Sequence, residues 1–254
     1  MNESDRFRQI LGIRFFVGGE QEAIDEVSRD GGLVVVPAAP ALKDLAHDER
    51  YRNSLLGADF AIADSALMVL VWNLMEGDSI PKLSGLRYLR ALTEREEFRK
   101  PGATFWVMPT QASAKRNVAW LSEQGINLSG EDVYVAPIYG QTIVDLELLK
   151  QIEQRHPHHL VLAVGGGTQE PLGLFLKQNL SYRPAIHCIG AAIAFLSGDQ
   201  VRIPVWVDHC GLGWLWRSLS DPKRYATRYW KARHLASMIV RYRDRLPIAN
   251  STSV

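Results

Sequence analysis

Apolar residues gather along the chain into short, nearly uninterrupted runs. They span Ile13–Val17, Leu33–Val36, Phe60–Ala63, Thr104–Met108, Val133–Ala136, Leu160–Val164 and Ala185–Ile189. Strands with one wet face alternate apolar and polar residues, whereas unbroken apolar runs suit strands covered on both faces. Between the runs lie helical patterns such as Ala41–Leu56, Gln111–Gln124 and Thr142–Arg155. Alternating strand and helix predicts an α/β fold: a Rossmann-like parallel sheet with helices on both faces. Functional loops in such a sheet lie beyond the carboxyl ends of the strands.

The 254 residues suffice for a sizeable core without disulfides, burying roughly 70–75% of the unfolded surface. Cys188 and Cys210 are the only cysteines, which points to a reducing compartment. The N-terminus is acidic where a signal peptide would be basic and then apolar. The apolar stretch Phe60–Met75 contains Asp64 and Asn73 and is shorter than the ~20 residues of a membrane span.

Charge divides the chain. From Trp214 to Leu246 there are nine Lys/Arg and two Asp, a net of +7, against +1 for the whole, so the rest stands at −6. We expect an α/β domain over 1–205, a basic aromatic appendage over 206–246 and a disordered tail over 247–254. A basic segment on an acidic body suits an anionic partner.

Three features carry candidate chemistry. Asp64 falls where an apolar strand gives way to an apolar helix, and an unpartnered carboxylate there is costly. It is either a ligand-facing acid at a strand end or the cap of the next helix. The loop Gly165-Gly166-Gly167-Thr168-Gln169-Glu170 follows a strand and precedes a helix expected to start near Pro171. Its glycines permit close backbone approach and its amides suit phosphate; a plain tight turn is the alternative. It lacks the Gly-Lys-Ser/Thr of a Walker loop and the third glycine of the dinucleotide fingerprint. In the basic segment, Leu235, Met238, Ile239, Tyr242 and Leu246 form one stripe at helical spacing, flanked by Lys231, Arg233, Arg241, Arg243 and Arg245. That stripe reads as an interfacial membrane helix or as an ordinary terminal helix packed on the body. Arg217, Arg224 and Arg228 precede it and either clamp a diphosphate or solvate a helix.

Other polar groups read as background. His156, His158 and His159 suit a solvated turn better than a metal site. Asp59 reads as a turn residue, Asp208-His209-Cys210 as no triad, and Ser65 lacks a nucleophile elbow.

Four segments, spread between Leu33 and Tyr229, together resemble the WecG/TagA/CpsF glycosyltransferase family of bacterial surface polysaccharide synthesis. ADFAIADSALMVLVW is similar to its ADxxxPDGxGxVW segment, GGGTQE to its GxPxQE loop and CIGAAIAFLSGDQVRIPVW to GVGAAFDFxAGxxxRAPxW. GLGWLWRSLSDPKRYATRY follows GLEWLxRLxxEPxRLxxRY. The sequence departs at the family's TxN, where Pro37 and Ala39 stand, at Ser65 for glycine, at Gly167-Thr168 for Pro-Lys and at Gly213 for Glu.

The resemblance implies inverting transfer of a sugar from a UDP-sugar to a polyprenyl-diphosphate-linked glycan. Asp64 would be the base. Gly165, Gly166, Gly167, Gln169 and Glu170 would bind the donor, with Arg217, Arg224 and Arg228 neutralising the leaving diphosphate in place of a metal, so no cofactor is expected. The basic segment would hold a cytoplasmic enzyme against anionic lipid of the inner leaflet, and a homo-oligomer is left open. Two rivals are a non-catalytic glycan or nucleotide-sugar binder acting in assembly, and a binder of single-stranded nucleic acid using the basic segment, which the acidic body argues against.

Overall fold

The computed structural model describes residues 6–199, 213–220 and 233–247. All seven apolar runs become strands, and an eighth precedes them. The strands are β1 (Phe7–Ile10), β2 (Ile13–Phe16), β3 (Gly32–Val35), β4 (Phe60–Ile62), β5 (Thr104–Met108), β6 (Val133–Val135), β7 (His159–Leu162) and β8 (Ala185–Cys188). They form one sheet in the order β1-β2-β4-β3-β8-β7-β5-β6. Only β1 and β2 pair antiparallel; all other neighbours are parallel. β1 joins β2 through Leu11 and Gly12, both at positive φ (53° and 76°), a turn whose twist matches a hairpin.

Helices cover both faces and divide the strand side chains between two cores. Leu33, Val35, Phe105, Val107, Leu160 and Leu162 point into one core, and their neighbours Val34, Val36, Trp106, Met108 and Val161 into the other. The first core is closed by α3 (Glu49–Leu56), α4 (Ala66–Glu76), α7 (Leu146–Arg155) and α8 (Gln169–Asn179). The second is closed by α1 (Glu20–Asp30), α5 (Gly85–Thr93), α6 (Gln111–Glu123) and α9 (Ala192–Leu196). The helix expected over 41–56 is broken into α2 (Ala39–Leu42) and α3, because Asp48 caps a new start by accepting the Tyr51 amide at 2.9 Å. Asp145 likewise accepts the Leu148 amide at 2.9 Å, so α7 begins at Leu146 rather than Thr142.

The terminal helix, His234–Tyr242, lies against α4 and completes the first core. Leu11 and Gly12 donate backbone hydrogen bonds to the Arg243 and Asp244 carbonyls (2.7 and 2.9 Å), tying the segment after this helix to the β1–β2 turn. Residues 233–247, expected within an appendage and the start of a disordered tail, are therefore packed on the body; Pro247 itself is buried. Among the described residues no helix is long and apolar enough to cross a membrane.

Candidate active site

Parallel strands place all their carboxyl ends on one edge, where Asp64 lies two residues beyond β4. It does not cap the next helix. Ser65 does, accepting the Met68 amide at 3.2 Å. Half-buried Asp64 instead reaches α5, whose Gly85 amide donates to Oδ1 at 3.3 Å. Leu83 donates to the Ala63 carbonyl at 3.1 Å and draws the start of α5 onto the end of β4. A Cβ on Gly85 would lie 3.0 Å from Val36 Cγ1 and 3.7 Å from the Ile189 carbonyl. The α5 N-terminus thus sits over the ends of β3 and β8.

The glycine loop leaves β7 on the same edge. Gly165 and Gly167 have φ of 97° and 89°, a region side chains rarely enter. The Gln169 amide returns to the Gly165 carbonyl at 3.1 Å, so α8 starts at Gln169, two residues before Pro171. Gln169 and Glu170 are each 1% exposed. The Gly190 amide, just past β8, donates to Gln169 Oε1 at 2.7 Å. Gln169 Nε2 donates to Glu170 Oε1 at 3.2 Å, and the Gly167 amide donates to Glu170 Oε2 at 2.7 Å. Burial pushes the Glu170 carboxyl above the usual carboxylate range, opposed by the amides it accepts. Both side chains are enclosed and hydrogen-bonded to the protein, and the Gly167 amide is already committed to Glu170. A crevice of about 360 Å³, lined by Arg50, Asn53, Ile143, Pro171, Leu174 and Phe175 among others, opens beside the first turns of α8.

Between these two features lies the end of β3, where Pro37 and Ala39 make the edge apolar; Ala39 opens α2 and both are buried. Trp216 packs against Leu86 and Phe195, so the Gly213–Ser220 helix, which carries Arg217, lies beside α5. The Arg217 side chain, Arg224, Arg228 and Lys231 lie outside the described residues, as do Asp208, His209 and Cys210.

Several expectations are corrected. Leu235 and Ile239 are 0% exposed, because the helix that carries them packs on α4 and turns them into the first core; they are core and not a lipid-facing stripe. Tyr242 is half-buried on the same core, with the Arg241 guanidinium 5.4 Å from its ring. Arg233, Arg241, Arg243 and Arg245 are exposed, and Arg243 faces Glu76 at 3.5 Å. The exposed apolar groups nearby are Val240 on this helix and Leu70 and Leu74 on α4. Asp59 is no solvated turn residue. It accepts the Leu33 amide and pairs with Lys177 and Arg183 at 2.7–2.9 Å. Nor is His159 in a turn. It is fully buried in β7, bonded to His158 and to His187, which in turn meets the Tyr88 hydroxyl at 2.9 Å. His156 and His158 are exposed.

Gly85 and Gly190 escaped the sequence reading. The signals were present: a Ser-Gly helix start at Ser84-Gly85, and a glycine directly after an apolar run.

Open, doubly wound α/β sheets bind ligands in the crevice beyond the carboxyl ends of their strands, and this chain places a carboxylate and a glycine loop on that edge. Residues 8–248 match the profile of the glycosyl transferase WecG/TagA/CpsF family. The chain belongs to that family and is a glycosyltransferase. It is 23% identical over 209 residues to the N-acetylglucosaminyldiphosphoundecaprenol N-acetyl-beta-D-mannosaminyltransferase of Bacillus spizizenii, a match covering 78% of this chain and 76% of that enzyme.

Proposed function

We propose that this glycosyltransferase moves a sugar from a UDP-sugar onto a polyprenyl-diphosphate-linked glycan during synthesis of a cell-envelope polysaccharide. The observation that carries the reading is the placement of Asp64 and the Gly165–Gly167 loop on one sheet edge, joined through Gly85, Ile189 and Gly190. The B. spizizenii relative, whose name specifies a diphosphoundecaprenol-linked sugar, supports the acceptor class.

In this reading Asp64 accepts the proton of the acceptor hydroxyl as that oxygen bonds to the anomeric carbon. The bond from that carbon to UDP breaks with inversion, and charge develops on the departing diphosphate. Arg217, Arg224 and Arg228 stabilise it without a metal. The loop, with a carboxylate behind it and the Gly167 amide taken, suits the donor's sugar better than its diphosphate. Pro37 and Ala39 supply an apolar wall where the family has Thr and Asn, which sets the choice of sugar. The exposed Arg233, Arg241, Arg243 and Arg245, beside Leu70, Leu74 and Val240, face anionic lipid.

A panel of UDP-sugars assayed against polyprenyl-diphosphate-linked N-acetylglucosamine tests this. Transfer from at least one donor is expected, and hydrolysis or no turnover across the panel overturns it.

A further inference from the structure

Gln169 and Glu170 are adjacent, fully enclosed and bonded to each other, and each holds the amide of a different glycine. Glu170 holds Gly167 of the donor loop, and Gln169 holds Gly190 beyond β8. The path continues towards the acid, since the Ile189 carbonyl lies 3.7 Å from where a Cβ on Gly85 would stand, and Gly85 donates to Asp64. Cys188 adds a fourth tie, its thiol 3.2 Å from the Gln169 carbonyl.

We propose that Gln169 and Glu170 are positioning residues: a two-residue clamp that fixes the donor loop relative to Asp64 without touching substrate. The inference rests on reading the Gly165–Gly167 loop as the donor site. Its chemistry is a chain with one direction. Gly190 N–H gives to Gln169, Gln169 N–H gives to Glu170, and Gly167 N–H gives to Glu170's second oxygen. Each of these three N–H groups meets an acceptor, as a buried polar network requires.

That direction makes the clamp separable from a substrate-contacting role. In Glu170→Gln, two amides face each other, and either rotation of the new amide leaves one N–H against another. In Gln169→Glu, two buried carboxylates face each other. The double exchange, Gln169→Glu with Glu170→Gln, restores all three bonds. Glu at 169 accepts from Gly190 and from the new amide, and that amide's oxygen accepts from Gly167. Net charge is conserved and the carboxylate moves by one residue.

The test uses the full chain and the UDP-sugar that the wild type turns over fastest. Each single variant is expected to raise the donor KM about 10-fold or more, the scale of one broken buried hydrogen bond, with little change in the acceptor KM. The exchange is expected to bring the donor KM back to near wild type. Thermal midpoint and amide hydrogen exchange at Gly167 and Gly190 should fall and recover in step. An exchange variant that folds yet stays as impaired as the singles overturns the clamp, because a side chain was then reading the donor. Singles with wild-type donor KM overturn it too. If the wild type uses no UDP-sugar, the proposed function fails instead, and the clamp is decided by exchange at Gly167 and Gly190 alone.

Discussion

The backbone amide of Gly85 donates to Oδ1 of Asp64 over 3.3 Å, so the acid leaving β4 is held by the first residue of α5. Asparagine keeps an oxygen for that amide but cannot take a proton from an acceptor hydroxyl. Asp64→Asn should therefore lower kcat by about 10²–10⁴-fold with little change in thermal midpoint, since Ser65 still caps α4. Near-normal turnover would leave Asp64 as a tie between two elements.

Gly166 separates binding from folding. A Cβ there would lie 3.8 Å from Glu170 Oε1, an ordinary contact, so Gly166→Val should fold. Its branches block close approach to the loop, and donor KM should rise while acceptor KM holds. Gly167→Val differs, because φ of 89° strains any side chain, and it should lose thermal stability as well. Unchanged donor KM in a folded Gly166→Val would reduce the loop to a turn.

The terminal helix carries stability on its buried side. Leu235→Ala should cost about 2–5 kcal/mol, read as a fall in the urea midpoint, and deletion of residues 230–254 should leave an aggregating protein. Arg241→Ser with Arg245→Ser, both exposed, should leave the midpoint unchanged while weakening binding to phosphatidylglycerol vesicles, most clearly at low salt. A soluble, fully folded truncation would contradict the packing of Leu235 and Ile239.

Acid should destabilise the fold through β7 and β8. Burial holds His159 down at about 3 and His187 well below the usual histidine range, with neighbouring histidines adding to it. Unfolded, both titrate near 6.5 and bind protons that the folded state refuses. Stability is therefore complete above that value and declines as pH falls below it, by up to about 1.4 kcal/mol per pH unit for each histidine. Glu170, raised by burial, works in the opposite sense as one group against two. Urea midpoints at pH 7.5 and 5.5 check this, and a higher midpoint at 5.5 would refute it.

With Arg217, Arg224 and Arg228 as the source of positive charge, EDTA should leave transfer unchanged and Arg224→Ala should lower kcat. A strict requirement for Mg²⁺ or Mn²⁺ would reverse that assignment.

Seven strands were legible as apolar runs: β3, β4, β5, β7 and β8 because both their faces are buried, and β2 and the half-buried edge strand β6 because their residues are mostly apolar. β1 was not, because FRQI on the antiparallel edge sets Arg8 and Gln9 between Phe7 and Ile10 and leaves no apolar run to read. Asp64 and the glycine loop stood out for the same reason, as a charge and a flexible stretch where apolar segments end. The sequence by itself determined the α/β class, the candidate acid and loop, and the amphipathic period of the terminal helix. Tertiary structure decided what each side chain faces. Periodicity shows that Leu235 and Ile239 share a stripe, yet the same stripe suits lipid or α4 equally. Composition marks Gln169 and Glu170 as polar groups beside glycines, yet only the approach of β7 to β8 turns them inward onto Gly167 and Gly190. Period and polarity are local properties of a chain, whereas the partner of a buried group comes from residues brought near by folding.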